Sequence, residues 1–374
     1  MALPRKHLSG IQYARALALF AVFAVHSSST GVGGSGKDSL AFAFYNFFNI
    51  AGKIGTTTFI FLSSFILFYT YYHRDLTIKL FLQFYKKRLL YILVPYLVFS
   101  VFYFWLNTYL FGSFSDIPLL FETFMAKLAT GKAGYHLYFV FVSVQFYLMF
   151  PVLLFLFKKF RWIRKYSIFL GIALQWAWVY LNSIYFQVPA KGSMAFSYFM
   201  FYFFGAFLGV YYENVMAWLA DRRRSLPGIA LLGASFAAMI YYYVNMMYEM
   251  RTGQTVFTTR QIEFAWSTHA LLACAVIFLA AHFIDSKKLP TIKKILAELG
   301  TVSFGMYLIH PVFLMGMRGF LPSGDPLIFH SWQALSFLVA FFGSWFIVRT
   351  VFEFLPFSWV IFGKGNKLLK PNGQ

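Results

Sequence analysis

The sequence is short of charge, and of acid above all. Only 12% of its 374 residues are charged, with 12 acidic side chains against 32 basic ones. A soluble domain carries roughly 25% charged residues, so a water-covered surface over one domain of this length is excluded. There is a single cysteine, Cys274, inside an apolar run. No intrachain disulfide can form, and cysteine usage says nothing about redox compartment. The chain has no serine-based lipase elbow, no Walker loop, no dinucleotide fingerprint and no His-Glu-x-x-His spacing. It also has no low-complexity tract, charged tail, soluble domain or clear internal repeat, so residues 1–374 read as a single transmembrane domain.

What fills the sequence instead is apolar and aromatic. Hydrophobic residues make up 60% and aromatics 23%, including 51 Phe and 25 Tyr. Lipid is therefore the solvent for most side chains, and aromatics suit both the lipid face and the interfacial belt. The net charge of +20 does not point to nucleic acid. The bases sit in short clusters between apolar runs, as topology signals do.

Ten apolar runs are visible, at 11–30, 54–72, 89–111, 136–157, 166–186, 195–212, 226–244, 265–284, 299–318 and 333–354. Each is close to the ~20 residues that cross about 30 Å of hydrocarbon as a helix. A membrane barrel would show short alternating segments instead. The expected fold is thus all-α, a polytopic membrane bundle of about ten transmembrane helices.

Charge in the connections alternates. One set holds Arg5/Lys6, Arg74 to Arg88, Lys158 to Lys165, Arg222 to Arg224, Lys287 to Lys294 and Lys364 to Lys370. The opposite set holds only Lys37, Lys53, Lys127, Lys132, Lys191, Arg251, Arg260 and Arg318. The positive-inside rule makes the first set cytoplasmic, with both termini inside. The basic start and apolar first run also resemble a signal peptide, but Arg15 within the run argues against cleavage. Two outer connections, 31–53 and 112–135, are long and partly apolar and suit the outer interface. The 245–264 connection is the most polar outer segment.

Ionisable side chains within spans are candidates for function because lipid tolerates them at a cost. Arg15 and His26 share the first span. Their separation of eleven residues falls about 20° past three full turns, so both lie on one helix face. They are about 16 Å apart along the axis, half the hydrocarbon thickness. A fixed cation thus lies toward the cytoplasm and a titratable base in the outer half. The structural alternative is that Arg15 snorkels to headgroups and His26 bonds a neighbouring helix.

His136 opens the fourth span, and His310 falls midway along the ninth. His269, in the outer part of the eighth, reads as a satisfied structural histidine, and His330 as a loop residue. His7, His73 and His282 read as solvated positions near the cytoplasmic surface. Nothing in the spacing gathers three histidines, so no metal site is expected. Lys86-Lys87-Arg88 anchors the third span by its position. The same cluster beneath Arg15 would suit a phosphate-bearing donor such as a coenzyme A ester.

Several ordered segments resemble one family. They are Gly10-Ile11-Gln12-Tyr13-Ala14-Arg15 running on to His26, Leu62-Ser63-Ser64-Phe65, Lys86 to Tyr96, His136-Leu137-Tyr138-Phe139 with Gln145-Phe146-Tyr147-Leu148, and Ser303 to Pro311 with its Tyr307-Leu308-Ile309-His310-Pro311. Together they resemble the membrane acyltransferase-3 family, bacterial O-acyltransferases of surface glycans, across essentially the whole chain. The resemblance implies a multi-pass protein of the bacterial cell membrane that uses a cytoplasmic acyl-coenzyme A as co-substrate, with no tightly bound cofactor. It implies a glycan or lipid-linked sugar acceptor. His26 and Arg15 are then the catalytic residues, Arg15 also belonging to the donor site with Lys87 and Arg88 beside it. His136, Tyr307 and His310 would support the acceptor side. The family's usual Arg-x-x-Arg before the third helix reads Arg88-Leu89-Leu90-Tyr91 here. The sequence is also similar to the intercellular-adhesin-type branch, so the acyl group, acetyl or succinyl, stays open.

A sugar hydroxyl is a poor nucleophile at neutral pH, so a base must take its proton during attack. Neutral His26 serves as that base or as a transient acyl carrier. The rival reading is an exporter of a polysaccharide or lipid-linked sugar. Carriers of that kind show paired halves with interrupted helices, and no convincing halves are visible here.

Overall fold

Apolar runs in lipid have one economical way to satisfy every backbone N–H and C=O, which is the helix. The computed structural model describes residues 8–112, 114, 116–322 and 324–365, and among these it contains helices and no strand. Arg5, Lys6 and His7, and Lys367 and Lys370, lie outside the described residues. The first half contains α1 (Gly10–Gly34), α2 (Leu40–Ala51), α3 (Gly55–Tyr71), α4 (Ile78–Arg88), α5 (Val94–Phe111), α6 (Ile117–Leu128), α7 (Tyr138–Lys159) and α8 (Arg161–Lys165). The second contains α9 (Ser167–Leu181), α10 (Phe199–Val210), α11 (Tyr212–Ala220), α12 (Arg222–Thr252), α13 (Thr259–Ser286), α14 (Pro290–Gly319), α15 (Pro326–Phe354) and α16 (Ser358–Phe362).

All ten apolar runs have helical counterparts. Among the described residues, 9 spans are long and apolar enough to cross as they stand. The sixth makes up to 10, as a pair (Ala195–Val210 and Tyr212–Ala220) bent by 76°. The protein is a polytopic helical membrane bundle.

Three boundaries differ from the sequence reading. The 31–53 connection is mostly helix, because α1 runs to Gly34 and α2 follows, capped by Ser39, whose side chain accepts from Phe42 N. The 245–264 segment is likewise mostly helix, with a Thr258–Gln261 capping box starting α13. His330 is not in a loop. Asp325 accepts from the backbone N–H groups of Leu327 and Ile328, and Pro326 occupies the first turn. Those signals start α15 before the apolar run does. In contrast, α6 buries no residue and exposes Ile117, Leu119 and Phe121, as a helix lying on the bundle would.

Two features of packing position the site. The first is the approach of α1 to α14. A Cβ placed on Gly300 would lie 2.1 Å from the backbone oxygen of Gln12, so only glycine allows this backbone contact. The two helices run in the same direction, with Gln12 opposite Gly300 and His26 opposite His310. First and ninth spans of an alternating bundle must be parallel in this way.

The second is a π-helical turn, Leu89–Leu93, between α4 and α5. Pro95, in the first turn of α5, has no N–H to offer Tyr91, whose carbonyl a continuous α-helix would use. Gly363, at φ +72°, passes so close to that carbonyl that a Cβ would lie 2.4 Å from it. The widened turn brings Arg88 and Tyr91 onto one cavity wall together with the segment after α16.

Near Gly300, at the same end of α14, a buried ion network ties α14 to α15. Arg349 donates to both carboxylate oxygens of Glu298 and pairs with Glu353, and Trp345 Nε1 donates to Glu298 at 3.0 Å. The sequence reading overlooked this intramembrane arginine, whose partners lie in a neighbouring turn and on another helix.

Candidate active site

The residues singled out by sequence fall into two adjacent groups. Arg15, Lys87 and Arg88 line a cavity of about 700 Å³ on one side of α1. Lys364, after α16, adds a fourth cation, and no carboxylate among the described residues lines the cavity. The guanidinium of Arg88 lies over the Tyr147 ring, 4.7 Å from its centroid, and over Phe84 at 5.4 Å. Cation–π contacts hold the arginine without neutralising it. Its Nε and the Gln12 Oε1 are buried with no hydrogen-bond partner among the described residues. Four cations with no acidic partner among the described residues focus a positive field in a low-dielectric wall, the arrangement that collects phosphate oxygens.

His26, His136 and His310 form the second group. The His26 and His310 rings are 4.9 Å apart, and His136 and His310 are 5.7 Å apart. Nothing in the spacing along the chain predicts this meeting. It follows from the parallel docking of α1 on α14 and from the turn before α7, which carries His136. The three do not converge as ligands. His310 Nδ1 is spent on the carbonyls of Tyr307 and Met306, and His136 Nε2 on Leu308 O at 3.2 Å. Among the described residues no group of three ligating side chains has metal-binding geometry.

The histidines do not line the basic cavity, and Tyr307 is what connects the two groups. Its ring forms part of the cavity wall, and its hydroxyl donates to the backbone carbonyl of His136. His136 and His310 are sealed, at 1% and 0% exposure, whereas His26 is only half-buried. Of the three, His26 is therefore the histidine that a substrate can reach. Its Nδ1 is 3.1 Å from His310 Nε2 and 3.2 Å from Tyr135 Oη. Its Nε2 has no hydrogen bond among the described residues.

Tyr135 faces away from the basic cavity. With Tyr138 and Tyr198 it lines a second, shallower pocket of about 400 Å³ that also includes Lys132 and Pro189. Arg318 closes the same end, donating to His26 O at 2.7 Å and to Thr30 Oγ1 at 2.8 Å. The order along α1 is thus basic cavity, Tyr307, histidine cluster, aromatic pocket.

Tyr135, Arg318 and Lys364 had not been singled out as site residues. Arg318 and Lys364 each counted as a topology charge, and only proximity to His26 and to Arg88 separates them from the other bases. Tyr135 could have been found from its place beside His136. His269 stands apart from the site and is not the satisfied structural histidine its sequence suggested. It stacks on Phe236 with centroids 5.6 Å apart, and both ring nitrogens are buried without a partner among the described residues. The neighbours supplied by α12 are aromatic faces, which offer no acceptor.

The helical membrane bundle thus sets a cation cavity, with no carboxylate among its described lining residues, against one accessible histidine. The chain belongs to the membrane acyltransferase-3 family, whose acyltransferase domain matches residues 8–349, nearly the full length. It is therefore a membrane acyltransferase. No curated protein and no solved structure matches it.

Proposed function

We propose that this acyltransferase moves an acyl group, acetyl or succinyl, from a cytoplasmic acyl-coenzyme A to a hydroxyl of a cell-surface or lipid-linked glycan. In this reading it works in a bacterial plasma membrane with both termini in the cytoplasm. The observation that carries the proposal is the stacking of the basic cavity on the histidine cluster through Tyr307. A nucleotide-bearing thioester needs cations at one end and a base at the other, separated by the length of its arm.

Arg15, Lys87, Arg88 and Lys364 hold the donor's phosphates by charge-assisted hydrogen bonds. Arg88 Nε and Gln12 Oε1, which have no hydrogen-bond partner among the described residues, are available to the donor's oxygens and amide hydrogens respectively. The acyl end passes Tyr307 to reach His26. The sugar enters from the Tyr135 side, where tyrosine faces give it a surface to stack on.

His26 accepts the proton of the sugar hydroxyl as its oxygen attacks the thioester carbonyl. The C–O bond forms, the C–S bond breaks, and the departing sulfur takes the proton from His26. The products are an O-acyl sugar and free coenzyme A thiol, with His26 returned to its neutral form. The balance is the same if His26 first carries the acyl group and then passes it on.

The test is replacement of His26 by Ala in a strain lacking the native gene, with glycan acylation measured in cells where the variant inserts normally. Acylation is expected to fall to background. Full acylation by this variant would remove His26 from the chemistry.

A further inference from the structure

We infer that His310 is a positioning residue that holds His26 in a single tautomer, hydrogen on Nδ1, leaving the Nε2 lone pair for the hydroxyl proton. This rests on the reading of His26 as base and specifies which of its nitrogens acts.

The argument starts at Pro311. It lies inside α14 and has no N–H, so the Tyr307 carbonyl loses the backbone donor that a helix normally gives it. His310 Nδ1 lies 2.8 Å from that carbonyl oxygen and 3.3 Å from Met306 O. A carbonyl oxygen only accepts, so His310 Nδ1 carries the hydrogen.

His310 is fully buried, and its ring neighbours are Phe23, His26, His136 and Tyr307. None of them is a carboxylate that would compensate a second proton. The ring is therefore neutral and its Nε2 is bare. That bare nitrogen lies 3.1 Å from His26 Nδ1. Two facing lone pairs would repel, so His26 Nδ1 must be the donor. Tyr135 Oη, 3.2 Å from the same nitrogen, sits beside this bond as a second acceptor.

His136 does not compete for the role, because its Nε2 donates to Leu308 O. The relay runs from the Tyr307 carbonyl through His310 to His26 Nδ1, and His26 Nε2 is left to work. It follows the logic of a triad, in which a third group orients the base. Here the orienting group is neutral, so the resting His26–His310 pair adds no charge of its own. During transfer only Nε2 gains and loses a proton, and the Nδ1 hydrogen stays with His26 throughout. The His-Pro pair thus has one physical purpose: the proline frees a carbonyl and the histidine uses it.

The experiment is ¹⁵N magnetic resonance on the full-length protein in lipid vesicles, with labelled histidine. The His26 signals are assigned by their loss in His26→Ala. The expected result is a protonated Nδ1 and a bare Nε2 on His26. In His310→Phe, which keeps a buried ring but offers no acceptor, the His26 tautomers should become mixed. Its kcat with acetyl-coenzyme A should drop by roughly 10²- to 10⁴-fold, the range for a base in the wrong protonation form. KM should stay within about threefold, since the donor cavity is untouched. His310→Gln, whose side-chain oxygen can accept from Nδ1, should recover at least about tenfold over the Phe variant.

A wild-type His26 protonated on Nε2 would overturn the inference, and so would His310→Phe with unchanged kcat. The wild-type spectrum decides the matter even if the Phe variant fails to insert. Full transfer by His26→Ala, alongside an Nδ1-protonated wild-type ring, would instead refute the catalytic reading alone.

Discussion

The backbone contact between Gln12 and Gly300 makes Gly300→Ala a sharp test of how the site is held together. In a solvent-exposed helix this change would stabilise by up to about 1 kcal/mol through propensity alone. Here the new Cβ would start 2.1 Å from Gln12 O, against the 3.4 Å at which ordinary contact begins. The atom it meets is backbone, so no rotamer change relieves it. The helices must separate by about 1 Å, because interiors are too densely packed to absorb the difference elsewhere. Overpacking of this sort costs about 1–3 kcal/mol and outweighs the propensity gain. The functional effect is larger than the stability effect. Separation of α1 from α14 acts directly on the 3.1 Å bond between His26 and His310, and a misplacement of about 1 Å can cost 10²-fold in rate. The assay is acyl transfer per inserted molecule, with insertion measured by a C-terminal tag. The expected result is normal or slightly reduced insertion with activity down about 10²-fold. An Ala variant that inserts normally and keeps activity within threefold would show that the α1–α14 spacing does not set the site.

Three further outcomes follow from the same geometry. Arg88→Ala and Lys364→Ala should each raise KM for acetyl-coenzyme A by roughly 10- to 150-fold, for a lost charge-assisted bond of about 1.5–3 kcal/mol, and leave kcat nearly unchanged; a fall in kcat at constant KM would argue against phosphate binding. Tyr307→Phe leaves the buried His136 carbonyl without this donor, which should lower thermal stability by about 1–3 kcal/mol in a detergent melt. Arg349→Met takes the paired cation away from Glu298 and Glu353, and breaking a buried pair from one side costs about 3–5 kcal/mol; steady-state abundance in membranes should collapse, and partial rescue by Glu298→Gln would confirm the cause.

Much of the fold was legible because lipid imposes one simple rule. The nine to ten candidate spans among the described residues could be read from apolar length, since each must satisfy its own backbone. The boundaries that moved did so for local reasons: Asp325 and Pro326 start α15 before hydrophobicity does, and Ser39 caps a helix in what read as a loop. The bend after Val210 carries no proline, and hydropathy does not record it.

The site was legible only as single residues. Helical phase put Arg15 and His26 on one face of α1, but nothing along the chain says that His26 meets His310. Their residue numbers differ by 284, and the contact depends on Gly300 admitting the backbone of Gln12. Lys364 and Arg318 were hidden by a different ambiguity. A base flanking a span is a topology signal by default, and only the folded chain distinguishes one that faces the lipid boundary from one that faces a cavity. The same ambiguity gives the architecture its economy. Arg88 sits where a topology anchor belongs, and the π-turn before Pro95 redirects it onto the cavity wall over Tyr147. In the proposed function one positive charge then serves both insertion and donor binding. For that reason the Arg88 variant should be judged by KM per inserted molecule, because loss of insertion and loss of donor binding would look alike in whole cells.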